Sequence, residues 1–87
     1  MSYRTKIITQ HGETCFSTKP LPACGSGHYA TRTEEDREPF YCTDDQSLIE
    51  RYKKLVERGV NPDFSRKTNI KQIVIPIPVK CAHDERA

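Results

Sequence analysis

The residues with the most chemistry to offer are four cysteines and three histidines. The cysteines are Cys15, Cys24, Cys42 and Cys81, spaced C-x8-C-x17-C-x38-C. The histidines are His11, His28 and His83. No C-x-x-C pair occurs, so the spacing of a zinc ribbon or a thioredoxin-like redox site is missing. Disulfides are the expected use. Four cysteines allow three pairings. The spacing favours Cys15 with Cys24, closing a proline-rich loop, and Cys42 with Cys81. The run Cys81-Ala82-His83-Asp84 resembles a fragment of a metal site that His11 or His28 would complete. Histidines in short polar segments are more often solvated, so no metal and no cofactor is assigned. No catalytic group is assigned either. A cysteine nucleophile needs a free thiolate, a base and an orienting third group, and the spacing supplies no such set.

The elements that must hold these residues are legible in outline. Tyr3 to Gln10 and Thr14 to Thr18 read as two strands joined at Gln10-His11-Gly12-Glu13. Lys19-Pro20-Leu21-Pro22 reads as an extended stretch leading to Cys24, because both prolines lack the N–H. Gly25-Ser26-Gly27 is a turn. Tyr29–Thr33 and Glu38–Thr43 read as a second hairpin around acidic Glu34-Glu35-Asp36. A helix is expected from about Asp45 to Arg58, since Leu48, Ile49, Tyr52, Leu55 and Val56 make one apolar stripe. Thr43, Asp44 and Asp45 offer N-caps, and Gly59 with Pro62 ends the helix. In the final strand, Lys71 to Lys80, the odd positions Ile73, Ile75, Ile77 and Val79 share an apolar face. Pro76 and Pro78 are both even, so the missing donors lie on one edge, as in an edge strand. The apolar face is expected to pack against the helix.

Composition sets the limits. The chain has 87 residues, of which 34% are hydrophobic and 30% charged, with no Trp. That hydrophobic share is below the roughly 45–50% of average globular chains. A core this small rarely supplies more than about 3–5 kcal/mol, so staples are expected. No run approaches the length of a membrane-spanning helix. The net charge of +2 conceals opposed segments: +3 over 1–33, −6 over 34–50, +5 over 51–71 and 0 over 72–87. Such a bipolar chain suits protein contacts better than nucleic acid, which requires one continuous positive face. The acidic set Glu34, Glu35, Asp36 and Glu38 and the basic set Arg51, Lys54, Arg58, Arg66 and Lys67 are the candidate interaction residues.

Four stretches carry a family resemblance. They are Cys15-Phe16-Ser17-Thr18-Lys19-Pro20-Leu21-Pro22-Ala23-Cys24, Pro39-Phe40-Tyr41-Cys42, Gly59-Val60-Asn61-Pro62-Asp63-Phe64-Ser65, and Ile75-Pro76-Ile77-Pro78-Val79-Lys80-Cys81. Together they resemble the C-terminal cysteine module of insect vitellogenins, the piece that follows the von Willebrand type D module. The resemblance implies a secreted yolk-precursor lipoprotein, found in haemolymph and egg yolk, of which this chain is a fragment. It implies that the lipid is carried by the parent protein and not by this piece.

The expected fold is α+β: a small antiparallel sheet of hairpins with one amphipathic helix packed on it, disulfide-stapled. The expected organisation is a single small domain over 1–87, with hairpins and loops over 2–43, the helix over 44–59, a loop and final edge strand over 60–81, and a tail over 82–87. The N-terminal segment has no apolar stretch of signal-peptide length, which fits a piece of a larger secreted protein. The expected function is a non-enzymatic structural or interaction module, with a protein partner in the upstream region of the parent or among egg and haemolymph proteins. A free-standing secreted inhibitor or binding protein, presenting the Lys19–Pro22 loop, is the alternative.

Overall fold

The computed structural model describes residues 1–85. The elements in chain order are β1 (Ser2–Arg4), β2 (Ile7–Gln10), β3 (Glu13–Ser17), β4 (Leu21–Ala23), β5 (His28–Thr43), α1 (Gln46–Glu57) and β6 (Ile70–His83). The strands form two sheets. One is a four-stranded antiparallel sheet in the order β2-β3-β5-β6; the other is the β1-β4 pair. The expected α+β architecture is therefore corrected. Strands dominate, two sheets replace one, and the single helix has 12 residues.

The β2-β3 hairpin turns through His11 and Gly12, at φ 50° and 76°. Two positive φ values match the right-handed twist of the flanking strands, and His tolerates this region better than most side chains. The second hairpin expected around Glu34-Glu35-Asp36 does not form, and β5 runs unbroken for 16 residues. Acidity suggested a turn there, but no Gly, Pro or Asn supplies turn chemistry. The long apolar run of β6 supplies a continuous partner instead, with Glu34 opposite Ile77, Glu35 opposite Pro76 and Asp36 opposite Ile75. β6 is an edge strand of its sheet, as expected, with β2 at the other edge. It continues through Ala82 and His83, where a tail was expected; the last two residues of that tail, Arg86 and Ala87, lie outside the described residues.

The helix begins at Asp45, whose carboxylate accepts hydrogen bonds from the amides of Ser47 (3.0 Å) and Leu48 (3.3 Å). It ends in a Schellman motif. Gly59 lies at φ 83°, its N–H donates to the Val56 carbonyl, and the Val60 N–H donates to the Leu55 carbonyl.

The pleat divides the core in two. One face of the sheet carries Cys15, Phe40, Cys42 and Ile75, with Ile8, Ile73 and Ile77 packed against them and Leu21 of β4 as a cover. The other face carries Phe16 and Tyr41, which pack with Ile49 and Tyr52 of α1 and with Phe64. The expected packing of the helix on Ile73, Ile75 and Ile77 is thereby corrected. Neighbours along a strand point to opposite faces, and α1 covers the face of Phe16 and Tyr41. Ile49 and Val56 are its buried residues, while Leu48 and Leu55 are half-buried.

Candidate functional site

The four cysteines form two disulfides, Cys15–Cys42 and Cys24–Cys81. The expected pairing of Cys15 with Cys24 and Cys42 with Cys81 is thus corrected. Cys15 and Cys42 are direct cross-strand partners on β3 and β5, with Cα atoms 4.0 Å apart. Both are fully buried. Cys24 follows β4 and reaches Cys81 near the end of β6, with Cα atoms 5.7 Å apart. Sequence separation misled because strand register, not loop length, decides which cysteines meet. By the loop-closure argument, spans of 27 and 57 residues each contribute roughly 3.5–4 kcal/mol.

The stretches that carried the resemblance hold the fold at specific points. Phe16 and Phe64 stack at 5.9 Å, Tyr41 and Phe64 stack at 5.4 Å, and Tyr52 meets Phe64 edge-on at 5.0 Å. Phe64 is therefore the hub of the aromatic core. The Asn61 side chain accepts from both the amide and the hydroxyl of buried Thr5, at 3.0 and 3.2 Å. Asp63 closes the turn by accepting from the Ser65 amide at 2.9 Å, which lowers its pKa. The Ser17 hydroxyl accepts from the Lys6 amide and donates to the Lys19 carbonyl, both at 2.8 Å. A polar clip closes one end of the main sheet: Asn69 donates to Glu13 and to the Cys42 carbonyl, and Lys71 pairs with Glu13. The hydrogen bond from Lys71 is the main reason that the Glu13 carboxyl titrates below its ordinary range.

At the far end, β5 and β6 leave the body as a two-stranded ribbon. Residues 28–37 of β5 are exposed throughout, and Glu34, Glu35 and Asp36 lie in this stretch. Glu38 differs from them: it is 6% exposed and pairs with Lys19 at 3.2 Å. Of the basic set, Arg51, Lys54 and Arg58 are exposed on or just after α1, and Arg66 is exposed in the following loop. Lys67 is half-buried, with its ammonium 5.5 Å from the centre of the Tyr41 ring. Among the described residues, the ion pairs Lys19–Glu38 and Lys71–Glu13 join neither of these exposed sets to the other.

A cleft of about 530 Å³ lies where the β1-β4 sheet faces the ribbon. Its lining includes Leu21, Pro22, Tyr29 and Pro76, with Arg4 and Lys6. The Lys19–Pro22 stretch is not a free loop. Leu21 is buried and pairs with Arg4, and Pro22 pairs with Tyr3. Sequence reasoning missed this short strand because its prolines argued against one. Pairing at a two-stranded edge tolerates them. Among the described residues, no helix is long and apolar enough to cross a membrane.

Comparison with known proteins finds vitellogenins. The chain is 38% identical over 80 residues to vitellogenin-2 of Periplaneta americana and 32% identical over 76 residues to a vitellogenin of Anthonomus grandis. It is 29% identical over 84 residues to vitellogenin-A1 of Aedes aegypti. The chain is a vitellogenin-like segment. These matches take in 87–95% of it but only 4% of each relative. The vitellogenin-like segment thus corresponds to a small piece of much longer proteins. No protein-family profile and no solved structure matches it.

Proposed function

We propose that this vitellogenin-like segment is a non-enzymatic interaction module, the C-terminal cysteine module of a secreted yolk precursor. In this reading it works outside the cell, in haemolymph and yolk, as part of a parent protein that carries the lipid elsewhere. The observation that carries the reading is the similarity to vitellogenins along most of the chain. Two disulfides suit an oxidising compartment.

The mode of action proposed is a charge-guided protein contact. Glu34, Glu35 and Asp36 lie exposed on the ribbon, and Arg51, Lys54, Arg58 and Arg66 lie exposed on and after the helix. Separate poles of this kind chiefly raise association rates, and they do so most at low salt. The partner is the upstream region of the parent protein or an egg or haemolymph protein. The test is association kinetics between this chain and the upstream region of the parent. Lys54→Glu with Arg58→Glu should slow association, and added salt should slow the wild type likewise. Unchanged kinetics under both treatments, with the fold intact, would remove the charge-guided contact.

A further inference from the structure

The tip of the ribbon brings together two histidines that are 55 positions apart in sequence. His28 opens β5 and His83 closes β6, and the two are direct cross-strand partners. Their ring centres are 5.2 Å apart, with the rings edge to face. Both residues are exposed. We propose that His28 and His83 together form a binding site for a divalent transition-metal ion of zinc type, with water completing the coordination.

Three observations carry this. The first is separation. Two imidazoles on one tetrahedral ion, with Zn–N bonds of about 2.0–2.1 Å, place their ring centres roughly 5 Å apart. The observed 5.2 Å already meets that requirement, so metal capture needs no movement of the strands.

The second is the protonation pattern of His28. Its Nδ1 lies 2.9 Å from the Ser26 carbonyl oxygen. A carbonyl only accepts, so Nδ1 carries the proton. In the neutral ring that leaves the lone pair on Nε2. A backbone carbonyl holding one ring nitrogen while the other faces outward is the usual support of a metal-ligating histidine.

The third is the frame. The Gly25–His28 turn is closed by the His28 N–H donating to the Gly25 carbonyl at 3.0 Å, with Gly27 at φ 72°. The Asp84 N–H donates to the Gly27 carbonyl at 2.7 Å. Cys24–Cys81 ties the segment before His28 to β6 two residues ahead of His83. Both imidazoles therefore sit on backbone that is fixed from each side. Pre-positioning lowers the ordering cost of binding. Among the described residues no group of three or more His, Cys, Asp or Glu side chains is placed to hold a metal, so the protein supplies two ligands. Imidazole is a preferred donor for zinc and its neighbours and a poor one for calcium or magnesium. The site would bridge β5 and β6 at their open end, reinforcing the disulfide there.

The test is zinc titration of the intact chain, followed through the ring-proton resonances of the three histidines. Wild type should bind one zinc ion, with the His28 and His83 signals shifting together while His11 stays still. His28→Ala and His83→Ala should each weaken binding at least about tenfold. His83→Phe keeps an aromatic ring against His28 and so preserves packing, yet it should lose zinc to the same extent. His11→Asn, which keeps a residue tolerant of positive φ, should bind as wild type does. Lowering the pH should release the ion, since protons compete for the ligating nitrogens. The proposal is overturned if zinc shifts only one of the two rings, if it shifts His11 equally, or if His83→Phe binds as tightly as wild type.

Discussion

The two halves of β5 live in different surroundings. From Glu38 to Thr43 every residue is buried or half-buried, and the strand pairs with β3 on one side and β6 on the other. From His28 to Arg37 every residue is exposed, and the main sheet offers β6 alone as a neighbour. A disulfide lies near each half: Cys15–Cys42 joins β3 to β5 in the body, and Cys24–Cys81 joins the end of β4 to β6 near the ribbon tip. The body is held by burial on both faces. The ribbon is held by backbone pairing, a covalent tie and the packing of Ile75 and Ile77 of β6, which leaves the side chains of residues 28–37 of β5 exposed. Regions with few buried contacts open at lower free energy than cores do. Exposed acids on β5 and the His28–His83 pair can occupy the ribbon because little of the fold depends on them.

The largest effect expected from this contrast is in the body. Phe64 is 2% exposed and touches Phe16, Tyr41 and Tyr52. Phe64→Ala should cost about 3–5 kcal/mol, comparable to the whole stability of a small domain. Chemical denaturation checks this. A loss under about 1 kcal/mol would mean that the aromatic face is not the principal core. Leu55, favoured from the sequence as a core residue, is only half-buried and should matter less than Phe64.

A smaller effect belongs to the clip at the body end. The Glu13 carboxyl titrates below its ordinary value because Lys71, foremost, hydrogen-bonds its charged form. A group whose folded pKa is depressed contributes stability above its unfolded pKa, and that contribution is lost as pH falls through the folded value. Acidification below the ordinary carboxylate range should therefore loosen the contacts of Glu13 with Asn69 and Lys71. Amide shifts at Asn69 and Lys71 should follow this titration in wild type and lose it in Glu13→Gln. An identical acid titration in the variant would assign the effect to another carboxylate.

The same contrast explains what was legible in the sequence. Local signals in the body read correctly. The helix stripe, the Asp45 cap and the Gly59 stop placed α1 within one residue at either end. The Gln10–Glu13 turn located the first hairpin, although the single strand expected over Tyr3–Gln10 divides into β1 and β2 in different sheets, and Pro76 with Pro78 marked β6 as an edge. Non-local pairing was not legible. Which cysteines meet depends on the β3-β5 register and on β4 reaching β6. Which face the helix covers depends on how the chain leaves Thr43. The continuity of β5 through Glu34-Glu35-Asp36 came from a long partner strand, which a local reading takes for a charged turn. His28 and His83 meet at one end of that pairing although they are far apart in sequence, so the sequence offered His11 and His28 equally as companions of His83.

The most direct test of the division between body and ribbon is amide hydrogen exchange on Cys24→Ser with Cys81→Ser. The account predicts that residues 28–37 and 74–83 lose protection while β3, α1 and residues 38–43 keep theirs, because Cys15–Cys42 and two-sided burial remain. Equal loss in both regions would contradict it, showing that one cooperative unit, and not two differently held ones, makes up the molecule.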